Sequence, residues 1–436
     1  MNAYPKLLKH KLLMIIRKMA DSPEPFVCSP GKDFTRKRKL DFETMCKMII
    51  GMNGNSLRKG LYEYFNYDVN AATTPAFCQQ RAKLNENTFK HMFNSFTAST
   101  SKLKLYKDYR LLAIDGSALN IHHVPDSPDT YVKHTCNSKG YSALHLNALY
   151  DLKNKLYADC LVQPGKAMNE YQALCDMVDR SSISGDVIVI GDRGYESYNV
   201  FAHIMKKNWK YLIRVKDKES NGITQALDLP KTDEFDTTVT VQLSRSNSKR
   251  AKASLPFHKF VPWSSQFDYL DNPLNHYSMT FRILRFRISE DTYRMVFTNL
   301  SADEFSFDEI DGLYKLRWGI ETSFRELKYS VGLTSFHSKK VAFILQEIYA
   351  RLIMYNFCEM ITMQVIIQQK GTKNAYQVNF TAAIDFCKRY FCTRENEHPP
   401  DVEALIHKNI LPIRKGRIFQ RFVRRGRAIS FNYRTV

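Results

Sequence analysis

Three acids stand in contexts where a carboxylate could do chemistry. Asp115 ends the apolar run 111–114, and Asp192 ends the run 187–191. Each run reads as a strand that buries its body and leaves its acid where the chain turns away at Gly116 or Gly194, the place where open α/β sheets collect ligands. Taken alone, either aspartate is better explained as a turn former or helix cap. The third acid, Glu321, lies in a segment with helical periodicity. At about 100° per residue, Leu313, Leu316, Ile320, Phe324, Leu327 and Val331 share one stripe, and Tyr314, Arg317, Glu321 and Lys328 share another. That second stripe fits a reactive face. It fits equally an exposed face with an Arg317–Glu321 pair worth about a few tenths of a kcal/mol.

The chemistry that would use such a set is phosphodiester exchange. Two divalent cations about 3.5–4 Å apart clamp the attacking and leaving oxygens of an in-line displacement. Mg²⁺ takes oxygen ligands and keeps several waters, so two Asp and one Glu suffice from the protein. An arginine fork and a lysine point charge beside the acids would hold phosphate oxygens.

The elements that must position these groups change in character along the chain. Residues 1 to about 105 read as short helices, with Asp41, Ser56 and the pair Thr74-Pro75 as N-terminal signals. After Pro75, Gln79, Gln80, Arg81 and Lys83 read as a solvated helix face, with entry into a DNA groove as the second reading. From about 106, the segments 111–115, 141–152, 155–163, 186–192 and 209–215 read as strands, with helices over about 169–178 and 197–207. This predicts a mixed α/β layer fold. Segments 237–243, 277–288 and 293–300 read as further strands, inserted before a helical remainder.

With 436 residues, the chain is too long for one ordinary core. Its 44% apolar and 25% charged content excludes wholesale disorder. The 64 Lys and Arg against 44 Asp and Glu leave +20, which favours a polyanionic partner such as nucleic acid. The nine cysteines include no C-x-x-C, so they read as free thiols of a reducing, cytoplasmic compartment rather than a disulfide or zinc framework. The N-terminus reads as an amphipathic helix and not a secretion signal. The apolar stretch 348–367 is broken by Arg351, Asn356, Glu359 and Gln364, which suits a buried helix and no membrane span. No phosphate-binding glycine motif occurs, so no nucleotide cofactor is expected. His122 and His123 are adjacent, and on a strand they would face opposite ways, so they do not form a metal pair. Residues 401–436 carry nine Lys or Arg among interleaved aromatics, a composition suited to DNA backbone contact.

These residues together resemble the DDE transposases of bacterial insertion sequences, specifically the insertion-sequence-four family. The family signature Y-(2)-R-(3)-E-(6)-K is met by Tyr314, Arg317, Glu321 and Lys328. The segments 113–117 and 191–195 look like its first and second acid motifs. The resemblance implies a ribonuclease-H-like catalytic core with a β-strand insertion. The expected regions are a helical DNA-end-binding part (1–105), the core (106–215), the insertion (216–300), the rest of the core with the Glu-bearing helix (301–370) and a basic C-terminal region (371–436). It further implies that Asp115, Asp192 and Glu321 bind two Mg²⁺, with Mn²⁺ able to substitute, and that Tyr314, Arg317 and Lys328 position DNA. Arg193 and Tyr195 beside the second acid would also touch DNA. Relatives stack a flipped base on a Trp in the last insertion strand. Here that strand carries Tyr293, with Trp263 further back, as stacking candidates. The implied activity is cleavage and joining at the terminal inverted repeats of the chain's own element, by a homodimer on paired double-stranded DNA ends. A metal-dependent nuclease that cuts without joining, or a catalytically silent DNA-binding regulator, are the alternatives.

Overall fold

A computed structural model describes residues 3–413 except 37, 53, 55, 101–102, 134–139, 219, 221, 256, 366–374 and 395–396. The basic stretch from 414 to 436 lies outside the described residues. The N-terminal part holds α1 (Ala3–Asp21), α2 (Phe42–Gly51), α3 (Leu57–Tyr64), α4 (Thr74–Arg81) and α5 (Asn87–Ala98). Asp41 and Ser56 start α2 and α3 as expected, their side chains accepting from Thr44 N–H and Lys59 N–H. For α4 the cap is Thr73, one residue before the expected Thr74, and Pro75 lies in the first turn.

The strands follow as β1 (Arg110–Ile121), β2 (Tyr131–Val132), β3 (Tyr141–Asp151), β4 (Leu156–Pro164), β5 (Val187–Gly191), β6 (Lys210–Val215), β7 (Phe235–Ser244), β8 (His258–Phe260), β9 (His276–Ser289) and β10 (Thr292–Thr298). Between them lie α6 (Glu170–Asp179), α7 (Tyr198–Lys206) and the short α8 (Lys249–Ser254), and after them α9 (Phe307–Leu316), α10 (Trp318–Tyr329), α11 (Val341–Thr362), α12 (Phe380–Cys392) and α13 (Val402–Lys408). One sheet runs β2-β3-β1-β5-β6-β10-β9-β7-β8, with β4 beside β3. Strand β1 is antiparallel to β3 and parallel to β5, and β5 is parallel to β6. The order β4-β3-β1-β5-β6 is the expected ribonuclease-H-like core. The strands between 235 and 298 do not fold apart from it. They extend the same sheet, because β10 pairs antiparallel with β6.

The sheet is covered on both faces, which accounts for the nearly continuous apolar runs of its central strands. Ala113, Leu146 and Ala148 face one core with α10, α11 and the N-terminal helices. Leu112, Ile114 and Leu149 face the other core with α6 and α7. Helix α11 is buried along most of its length, as the stretch 348–367 predicts for its described part. Its polar residues are placed against partners. Asn356 accepts from Tyr157 N–H and donates to Tyr157 C=O, both at 2.9 Å, which satisfies backbone groups of β4 where the β3–β4 ladder shifts register. No helix among the described residues is long and apolar enough to cross a membrane.

Two further local expectations fail. Gln80 and Arg81 are not on a wet face: Arg81 is 2% exposed and pairs with Glu347 of α11. The segment 313–331 is not one uninterrupted helix. At Arg317 the chain tightens to an i→i−3 bond, Arg317 N–H to Tyr314 C=O, and α9 gives way to α10. That overwinding rotates the halves against each other, so Leu316 is 42% exposed while Leu313, Ile320, Phe324, Leu327 and Val331 are buried.

Candidate active site

Asp115 does not end its strand as the sequence suggests. β1 continues to Ile121, and Asp115 lies inside it, paired with Ala148 of β3. The partner that ends is β5. Its last residue paired with β1 is Ile190, opposite Ala113. Asp192 lies just past that end, caps the short turn Arg193–Tyr195, and accepts from Gly194 N–H at 2.7 Å. The two aspartates therefore flank the point where β1 loses its parallel neighbour.

Helix α10 packs against β1 and brings Glu321 to the same place. The side chain between the acids is Arg317. Its Nη2 donates to Glu321 Oε1 at 2.6 Å, and its Nη1 lies 3.7 Å from Asp115 Oδ2. Arg317 is 8% exposed, and its Nε has no hydrogen-bond partner among the described residues. Burial pushes the Asp115 carboxyl up to about 6. The Gly116 N–H and the Arg317 charge oppose that rise, and the Asp192 and Glu321 charges add to it.

The rest of the signature surrounds this cluster. Tyr314 is buried, with the Arg294 guanidinium 4.9 Å and the Arg317 guanidinium 6.0 Å from its ring centre. Lys328 reaches back along α10 to donate to Ala118 C=O of β1 at 3.1 Å, and burial lowers its ammonium pKa against the charge of Asp115. Tyr195 is 1% exposed, and its hydroxyl has no hydrogen-bond partner among the described residues. Arg193 is exposed beside it. The two stacking candidates each lie against a guanidinium. Tyr293, on β10, lies against the Arg285 guanidinium at 3.6 Å, and Trp263, in a turn after β8, against that of Arg245 at 4.8 Å. His123 Nδ1 lies 3.3 Å from Ser142 Oγ.

Two residues that sequence reasoning missed stand at the same place. Glu170, the first residue of α6, is bonded through Oε1 to His145 Nε2 at 2.9 Å, and both side chains lie over Gly116. An acid in a first helical turn is commonplace, and a histidine inside an apolar strand carries no motif, so neither gave a signal.

The donor set suits a hard divalent cation, being carboxylate oxygen throughout. A positive charge already stands among these acids in the form of the Arg317 guanidinium. In this arrangement no three Asp, Glu, His or Cys among the described residues are close enough to hold an ion. Entry of a cation between Asp115 and Glu321 therefore requires Arg317 to give way.

The chain is 24% identical over 195 residues to the transposase for insertion sequence element IS421 of Escherichia coli, covering 41% of this chain and 52% of that protein. The same figures hold for the InsL protein of insertion sequence element IS186A of E. coli strain K12. The chain thus spans about half the length of the curated relatives it matches. A solved structure, the piggyBac transposase synaptic complex with hairpin DNA, aligns over 90% of this chain and 80% of that one, at 10% identity and a TM-score of 0.48. The profile of the transposase DDE domain matches residues 106–357, from the strand bearing the first acid through the helix bearing the third and into α11. More than half of the sequence lies within that match, and the chain belongs to the transposase DDE domain family.

Proposed function

We propose that this chain is a DNA transposase of the insertion-sequence-four type, which cleaves and rejoins phosphodiesters at the terminal inverted repeats of its own element. The observation that carries the reading is convergence. Asp115 and Glu321, separated by a long stretch of chain, share the Arg317 guanidinium, and Asp192, just past the end of β5, acts on Asp115 through its charge. Membership of the DDE family, which implies divalent-metal use, supports it.

In this reading Asp115, Asp192 and Glu321 hold two Mg²⁺ or Mn²⁺ ions. When bound, such ions activate an attacking water or 3′-hydroxyl and offset charge on the leaving oxygen. The remaining residues bind and orient DNA. Arg317 exchanges its carboxylate partners for phosphate oxygens, using a guanidinium whose Nε has no acceptor within the protein. Lys328 adds a point charge near Asp115. Tyr314, fixed by burial between two guanidinium groups, sets the direction in which Arg317 presents its fork. The net charge of +20 draws DNA to the site, and paired ends call for a homodimer. The expected regions 1–105 and 371–436 would carry end recognition.

The test combines a labelled donor end bearing a free 3′-hydroxyl with a plasmid target. Joined product is expected from the wild-type chain with Mg²⁺. Asp115→Asn, Asp192→Asn and Glu321→Gln should each abolish cleavage and joining while end binding persists. Cutting without joining would favour a nuclease, and full activity in any variant would remove that acid from the site.

A further inference from the structure

The two faces of the sheet communicate beside Asp192. β1 and β5 pair only from Arg110–Val187 to Ala113–Ile190, after which β1 runs on with β3 alone. Past Gly191 β1 has no described strand paired on its β5 edge, and the Tyr195 phenol in that region feels the charges of Glu170, Asp115 and Asp192. Glu170 enters from the α6 side. Its position over β1 depends on Gly116: a Cβ there would collide with Glu170 Oε1 and His145 Nε2. Oε1 is held by His145, which stands on β3. The other oxygen faces the second acid. A Cβ on Gly194 would stand 3.8 Å from Glu170 Oε2 and 2.8 Å from Asp192 Oδ1, so both carboxylates border the same small space.

The buried Tyr195 phenol points to a missing occupant. It lacks any partner among the described residues, and the charges that act on it most, after burial itself, are those of Glu170, Asp115 and Asp192. Buried hydroxyls are almost always hydrogen-bonded. An orphaned donor among carboxylates is satisfied once an ion with its water shell, or a phosphate oxygen, enters.

We propose that Glu170 is a further carboxylate ligand of the divalent-cation site, with His145 as the positioning residue that fixes one of its oxygens. This rests on the reading of Asp115, Asp192 and Glu321 as cation ligands. His145 is not itself a ligand, because Nε2 is engaged by Glu170 and a hard cation prefers oxygen. Glu170 serves the α6 side of the cluster as Glu321 serves the α10 side.

The experiment is Mn²⁺ titration of the full-length chain, with free Mn²⁺ followed by electron paramagnetic resonance, for the wild type, Glu170→Gln, His145→Gln and Asp115→Asn. Thermal melting checks that each is folded. Loss of an orienting partner typically weakens metal binding about 10–100-fold. Glu170→Gln is expected to weaken Mn²⁺ at least tenfold, and His145→Gln by a smaller factor, with its cleavage restored by raised Mn²⁺. Wild-type Mn²⁺ affinity in Glu170→Gln, with affinity lost in Asp115→Asn, overturns the role of Glu170 and leaves the underlying site standing. Wild-type affinity in both variants overturns the two together. Should Glu170→Gln fail to fold, Glu170→Asp keeps the charge and withdraws the reach, and unchanged affinity there is equally fatal.

Discussion

Arg81, on α4, and Arg317, at the junction of α9 and α10, are both buried guanidinium groups paired with glutamate, and their surroundings differ. Arg81 donates from Nε to Gln346 at 2.9 Å, from Nη1 to Glu347 at 3.0 Å, and from Nη2 to Phe343 C=O at 2.6 Å. Its partner Glu347 also accepts from His337 and Arg351. Burial alone would raise the Glu347 carboxyl. The Arg81 charge, the His337 hydrogen bond and the Arg351 charge outweigh it and hold that carboxyl well below the usual range. Arg317 has one close carboxylate, one distant one and an idle Nε, and burial leaves Asp115 raised. A cluster that fastens α4 to α11 has every Arg81 nitrogen engaged. The Arg317 cluster keeps one donor in reserve and leaves one carboxyl raised, features that fit the cation site proposed for it.

The contrast breaks most decisively at the acids. Asp115→Asn is expected to lower cleavage on the order of 10³-fold or more, since metal-borne charge stabilisation is worth several kcal/mol. Its folding should be unharmed in a urea titration. A variant that unfolds instead would make Asp115 a structural group like Glu347. Glu347→Gln should do the reverse. Leaving buried guanidinium charge without its counter-ion costs about 3–5 kcal/mol, read as a lower urea midpoint, while the folded fraction cleaves normally.

Acid titration sharpens the same comparison, because the two carboxyls shift in opposite directions. Glu347 is depressed, so its stabilisation is present above the ordinary value of 4.5 and is lost as pH falls from there toward its folded value. Asp115 is raised to about 6, so its ionised form costs stability above that pH, and the cost fades as pH falls toward 3.8. Melting temperature against pH should therefore fall less steeply below 4.5 in Glu347→Gln than in the wild type. Asp115→Asn should be more stable than the wild type above pH 6 and converge with it in acid. Parallel curves would refute both assignments. The smallest effect is expected at Lys328. Lys328→Ala should reduce the slope of log affinity for DNA ends against log salt by about 0.9, the value for one phosphate contact. An unchanged slope would leave Lys328 a tether to Ala118.

Much of this was readable in advance where the physics is local. Strand runs such as 187–191 follow from side-chain type and burial, and the caps at Asp41 and Ser56 follow from one side-chain oxygen. Two of the misplaced features depend on distant neighbours. Arg81 has the local pattern of a solvated residue, and only docking of α4 on α11 makes its burial affordable. Asp115 reads as a strand end because Gly116 follows it, yet β3 keeps pairing with β1 and carries the strand to Ile121.

The sequence by itself determined the types and periods: two apolar runs each closed by an aspartate, a helix presenting Glu321 beside a guanidinium, and enough positive charge to seek a polyanion. Only the tertiary structure decided that β5 stops short of β1, that Gly116 and Gly194 leave room for Glu170, and that Arg317 stands between the acids. Periodicity is a property of neighbours a few residues apart. The meeting of carboxylates depends on which strand ends beside which, and pairing across a sheet is free of sequence distance.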